Sequence, residues 1–206
     1  MVNKKGFTLI EMVVLLSIIS ILFGIAIYSY KTINRKYSIK QEVYKLYDDL
    51  KYIQTLAVNL GAHSVVNGKL IEKMVYVVFD EDQNSYFAYK WEDFDNDKDF
   101  DSNEIELLLS NKLKNKVTFS KLSGVNKSAC YNNGTSPSKD VSFNIIDHIP
   151  CNGKSCLEMD DYGFAINNGS IYLSDGFESY AISVSKAGNF RICRWDDKLK
   201  QWQFYY

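Results

Sequence analysis

From Met12 to Tyr30 the chain runs through about 19 residues, mostly Val, Leu and Ile, without a single charge. A helix of that length crosses the hydrocarbon of a bilayer. The chain is therefore expected to open with a membrane helix, and whatever follows must fold outside the lipid. Glu11 stands at the near edge of the run, and a carboxylate at a bilayer edge is costly enough to mark function. Ahead of it Lys4 and Lys5 supply positive charge, which positive-inside logic keeps in the cytoplasm; Lys31, Arg35 and Lys36 beyond the far end reduce that bias. A secretory signal would show a small-residue cut site after its apolar core, and none follows this one.

The helical pattern continues past the membrane. Ile39, Val43, Leu46, Leu50, Ile53, Ala57 and Leu60 recur every three or four residues, one apolar stripe on a helix. Polar Lys40, Gln41, Glu42, Lys45, Asp48, Asp49 and Lys51 fill the other faces. One helix is expected from near Phe7 to about Leu60, closed by Gly61 at the C′ position. Beyond it the period changes to two. Met74–Phe79 and Tyr86–Trp91 read as strands across the polar turn D-E-D-Q-N-S. Further strands are expected near Ile105, Phe119, Phe143, Tyr172, Ile182 and Ile192 and at the C-terminal Q-W-Q-F-Y-Y, separated by turns at N-N-G, S-D-G and K-A-G-N. The 15 Tyr and 12 Phe suit such strands. The fold class is α+β: a long N-terminal helix, its first half in the membrane and its second half amphipathic, packed on an antiparallel β-rich domain.

The residues K-K-G-F-T-L-I-E ahead of the apolar run resemble the class III signal of type IV pilins and type II secretion pseudopilins, with a basic leader, Gly6, Phe7, and Glu11 as the fifth residue after Gly6. That resemblance implies a division into a leader (1–6), a membrane segment (7–30), a helical continuation (31–61) and a pilin-like β domain (62–206), in a ladle shape. It implies that a prepilin peptidase cuts between Gly6 and Phe7 and that Phe7 is then N-methylated. An unpaired charge near lipid is expensive, and the resemblance gives Glu11 a partner: the Phe7 amine of a neighbouring subunit in a filament. The implied partners are the peptidase, other pilins or pseudopilins, and an inner-membrane assembly platform. The implied location is the bacterial inner membrane, single-pass with the C-terminal domain outside the cytoplasm, and then the pilus or pseudopilus.

The stretch W-E-D-F-D-N-D-K-D-F-D-S-N-E places Asp93, Asp95, Asp97, Asp99, Asp101 and Glu104 at relative positions 1, 3, 5, 7, 9 and 12, the ligand spacing of an EF-hand. Lys98 occupies position 6, where an EF-hand has Gly, and no helix pattern precedes the loop, so a calcium loop between strands is the candidate. The alternative is a solvated acidic turn whose Asp side chains bond the local backbone. The stretch also resembles the acidic loop of the GspH/FimT pseudopilins, with Lys98 and Asn103 in place of two glycines. Y-A-I-S-V-S-K-A-G-N-F-R-I-C-R resembles that family's closing strand pair: Gly188 and Arg191 fit its G-R-x-R element, while Asn189 replaces the first Arg.

Four cysteines, Cys130, Cys151, Cys156 and Cys193, lie in the part expected to be exported and lack the C-x-x-C spacing of a zinc site. Disulfides are expected, and of the three connectivities we favour Cys151–Cys156 with Cys130–Cys193. The charge is nearly balanced, 24 basic against 25 acidic residues, which weighs against a dedicated nucleic-acid binder. Lys186, Arg191, Arg194, Lys198 and Lys200 nevertheless form a basic tail, with Trp195 and Trp202 for base stacking, broken by Asp196 and Asp197. Neither His63 nor His148 has a nucleophile or carboxylate at recognisable spacing, and no G-x-S-x-G, phosphate loop or H-E-x-x-H occurs. The expectation is a filament subunit without enzymatic activity. The alternatives are a DNA-binding minor pilin, and an anchored calcium-binding protein that never enters a filament.

Overall fold

The computed structural model describes residues 8–60, 63–66, 69–95 and 97–205. Among the described residues a single α-helix, α1 (Leu9–Leu60), precedes eleven strands. The expected C′ residue Gly61 lies outside the described residues. The chain divides into two compact units, 1–38 and 39–206. In the first unit the helix exposes every apolar side chain from Leu9 to Ile33. It is the one helix among the described residues long and apolar enough to cross a membrane. Ser17, Ser20, Thr32 and Ser38 donate their hydroxyls back to carbonyls three or four residues earlier, so these hydroxyls are satisfied within the helix, as a low-dielectric surrounding requires.

The second unit begins where the stripe begins. Ile39, Val43, Leu46, Leu50, Ile53 and Ala57 are at most 1% exposed. Residues 31–38 carry none of the stripe. The strands are β1 (His63–Val66), β2 (Lys69–Asp80), β3 (Ser85–Glu92), β4 (Ile105–Lys112), β5 (Thr118–Phe119), β6 (Ile145–Ile146), β7 (Lys154–Met159), β8 (Gly169–Ser174), β9 (Ser179–Val184), β10 (Phe190–Asp196) and β11 (Gln201–Phe204). They form two antiparallel sheets. One has the order β4-β3-β2-β7-β6 with β1 paired to the start of β2, and the other the order β11-β10-β9-β8-β5.

Period-two alternation decides what each strand buries. Val75, Val77 and Phe79 of β2, Leu157 and Met159 of β7, Ile171 and Leu173 of β8, Ile182 and Val184 of β9, and Phe190 and Ile192 of β10 join the helical stripe in one core. The intervening residues supply two smaller clusters. Tyr76, Val78, Trp91, Cys151 and Cys156 cover the far face of the first sheet. Tyr172, Ala181, Cys193, Trp195, Trp202 and Cys130 cover that of the second. Each small cluster contains one disulfide, Cys151–Cys156 and Cys130–Cys193, with Cα separations of 6.0 and 5.5 Å. The favoured pairing is the one that forms.

Two strands escaped the sequence reading. β1 is a short hairpin arm on β2. β7 lies between β2 and β6 in the first sheet, and its K-S-C-L-E-M is brief and interrupted by polar residues. Its signal was the alternation of Ser155, Leu157 and Met159, of which Leu157 and Met159 face the main core. Conversely, the strand expected at Phe119 shrinks to two residues. That at Phe143 shrinks to a bridge from Val141 to Ile171 plus the two residues of β6.

Candidate functional site

Gly6 and Phe7 lie outside the described residues; the first described position, Thr8, sets the geometry around Glu11. Thr8 caps α1. Its hydroxyl accepts from the Glu11 amide at 3.3 Å, and the Glu11 carboxylate accepts from the Thr8 amide and hydroxyl, both at 2.8 Å and both on Oε2. This is a reciprocal capping box. The signature T-x-x-E before an apolar run was legible in the sequence, yet only the glutamate drew attention. The arrangement gives the carboxylate a local partner and fixes its orientation at the first turn.

The acidic loop is held between β3 and β4 by one expected ligand, Glu104, and by an aromatic residue within the loop, Phe100. Glu104, in a 3₁₀ turn at Ser102–Glu104, is only 3% exposed. Its Oε1 accepts from the Phe94 amide at 2.7 Å and its Oε2 from the Trp91 indole at 3.2 Å. It therefore anchors the two ends of the loop to each other. Phe100 stacks between Trp91 (4.5 Å between centroids) and His148 (3.8 Å), and meets Tyr76 edge-on. His148, which no sequence pattern connected to anything, is thus a wall of this loop. It lies three residues ahead of the Cys151–Cys156 bridge.

Of the six expected ligands, Asp93, Asp95 and Asp97 bring carboxylate oxygens within 4.8 Å of one another. Asp93 is fully buried, whereas Asp99 and Asp101 are exposed and outside that group. The loop also bonds itself: the Asp97 amide donates to Asp93 and Asp95 oxygens at 3.2 and 3.3 Å, and the Asp99 amide to Asp97 at 2.8 Å. The bonds from Asp side chains to the local backbone that the turn alternative expects are thus present. Desolvation, followed by the charges of Asp97 and Glu104, pushes the Asp95 carboxyl above the usual range, as crowded anions require. Lys98 turns the chain with φ +67°, the left-handed conformation for which glycine is ordinarily used. The missing glycine thus leaves the sharp turn in place.

The basic tail does not form a stacking surface. Trp195 and Trp202 are 3% and 2% exposed and pack edge-to-face at 5.2 Å, so neither ring face is offered to a base. Arg194 pairs with Glu178 at 3.2 Å and Lys200 with Asp197 at 2.6 Å, leaving Lys186, Arg191 and Lys198 as dispersed exposed cations. The sequence reading overlooked burial here: both indoles alternate inward on their strands, against the disulfide of the second sheet.

No curated protein and no solved structure matches the chain significantly. Residues 1–27, comprising the basic start, the capping box and most of the apolar run, match the family described as the prokaryotic N-terminal methylation motif, which supports a type IV pilin-like protein processed by prepilin peptidase and anchored in the membrane by its N-terminal helix.

Proposed function

We propose that this chain is a minor pilin or pseudopilin of the GspH/FimT type, cut after Gly6, N-methylated on Phe7, and assembled into a type IV pilus or a type II secretion pseudopilus. The observation that carries the reading is the methylation motif placed on a helix whose apolar side chains from Leu9 to Ile33 are all exposed. Exposed apolar surface on that scale needs lipid before assembly and neighbouring helices after it. Glu11 then meets the amine of an adjacent Phe7 while its own Thr8 holds the carboxylate in place. The β domain carries contacts and specificity and performs no catalysis.

Within the same reading, Asp93, Asp95 and Asp97 hold a hard divalent cation such as calcium. Three converging carboxylates on a loop locked at Glu104 and Phe100 support this. The assembly reading is tested by isolating filaments from cells that express the complete machinery. The cleaved chain is expected to co-purify with other pilins. Recovery solely as an uncut membrane monomer would overturn the reading.

A further inference from the structure

We propose that the β domain binds a neutral, hydroxyl-rich ligand, a short oligosaccharide, in a cleft between the 128–138 loop and the β8–β9 strands. The cleft measures about 730 Å³, within the rough 300–1,000 Å³ span of small-molecule sites. It lies away from the acidic loop and from the membrane helix, and the filament reading uses none of its residues.

Its frame is built. The loop is tied to β10 by Cys130–Cys193. The Ala129 amide donates to the Tyr172 hydroxyl at 2.8 Å, and the Ser128 hydroxyl to the Thr135 carbonyl at 3.0 Å. Asn132 accepts from the Trp202 amide at 2.9 Å. Gly134 is required for this folding-back, because a Cβ there would stand 2.4 Å from the Ser128 hydroxyl. On the opposite wall Gly169 admits Phe143, whose ring a Cβ would meet at 2.4 Å. On β8 and β9, Ser170 lies directly across from Ser183.

The lining chemistry selects the ligand class. It contains no carboxylate and a single cation, Lys186. A metal ion would lack anionic oxygens, and a polyanion would lack counter-charge. Serine, threonine and asparagine side chains predominate over large apolar ones, so an apolar ligand would gain little from burial. The side chains of Asn133, Thr135, Asn168 and Ser183 make no hydrogen bond to another described residue, leaving donors and acceptors of both kinds directed to solvent or ligand. At the rim Tyr131 is 56% exposed, an aromatic face against which the apolar side of a sugar ring packs. Sites that pair with hydroxyls discriminate strongly against ligands lacking them.

The test uses the full chain in a detergent without a sugar headgroup, applied to an array of immobilised di- to tetrasaccharides of neutral hexoses and N-acetylhexosamines, with sialylated and sulfated glycans alongside. Binding to at least one neutral glycan is expected, weakened at least tenfold by Tyr131→Ala and by Asn168→Ala and changed less than threefold by Lys186→Met. Both weakening substitutions are at exposed positions, and unchanged melting of each variant verifies the fold. Absence of neutral-glycan binding would overturn the proposal. So would binding indifferent to both Tyr131→Ala and Asn168→Ala, and so would binding confined to anionic glycans and abolished by Lys186→Met, which would mark an anion site.

Discussion

Glu11 and Thr8 hold each other at the head of α1: the threonine amide and hydroxyl both reach the same carboxylate oxygen at 2.8 Å, and the Glu11 amide returns a bond to the hydroxyl. The carboxylate is therefore already oriented within its own chain, with Oε1 taking no part in the capping box. Three substitutions separate the roles. Thr8→Val removes the cap, at about 1 kcal/mol, and should lower filament incorporation modestly. Glu11→Ala removes the charge and should abolish incorporation while leaving cleavage intact. Glu11→Gln keeps the reach but loses the charge and should behave like alanine. The ratio of cleaved chain in filaments to cleaved chain in membranes measures all three.

The acidic loop predicts a calcium response. With Asp93, Asp95 and Asp97 gathered and Asp95 held above its usual range by desolvation and anionic neighbours, a divalent cation relieves the repulsion and stabilises the folded state by mass action. Millimolar calcium should raise the melting temperature, and Asp95→Asn with Asp97→Asn should remove that increment. An unchanged melting temperature would count against the cation.

Lys98 gives the same loop an independent test. Its φ of +67° costs a non-glycine residue about 1 kcal/mol. Its contact to Glu72, 3.9 Å between two exposed groups, returns little. Lys98→Gly should therefore stabilise the protein slightly without calcium, by about 0.5–1 kcal/mol, read from denaturant midpoints. Destabilisation would mean that the lysine charge outweighs the turn.

The buried Asp80 predicts a pH effect. The Lys154 ammonium hydrogen-bonds its carboxylate, and the Gln83 amide adds a second bond at 3.1 Å. Chiefly through Lys154, the Asp80 carboxyl lies below its ordinary range. A carboxyl depressed on folding contributes stability that is present above its unfolded value and lost as the pH falls through the folded one. Lys154→Met should reduce stability at neutral pH by about 1 kcal/mol, discounted because the lysine is half-exposed. The loss should narrow as the pH falls through the acid limb, and a constant loss from pH 7 to pH 3 would contradict this linkage.

What the sequence made legible follows from periodicity. The stripe Ile39–Ala57 repeats at helical spacing over five turns, and no competing pattern obscures it. Val75, Val77 and Phe79 alternate with Tyr76 and Val78 in a strand apolar on both faces. β7 stayed hidden because polar Lys154, Ser155 and Glu158 interrupt its apolar residues, and its place in the sheet comes from long-range pairing with β2. In the acidic loop the spacing located the carboxylates. It could not show that Glu104 turns inward to Trp91, 13 residues away, or that Phe100 is gripped by His148, more than 40 residues away, since both contacts are set by how the chain folds back and not by spacing. The tail tryptophans misled for the same reason: their burial is set by the partner strand and the Cys130–Cys193 bridge.

The central claim is that Gly6–Phe7 is a processing site. The most direct measurement is mass spectrometry of the N-terminal peptide of the chain produced in cells that contain a prepilin peptidase. The account predicts a peptide beginning at Phe7 and carrying one added methyl group on its amine. A peptide that retains residues 1–6, or one that begins beyond the apolar run, would contradict it.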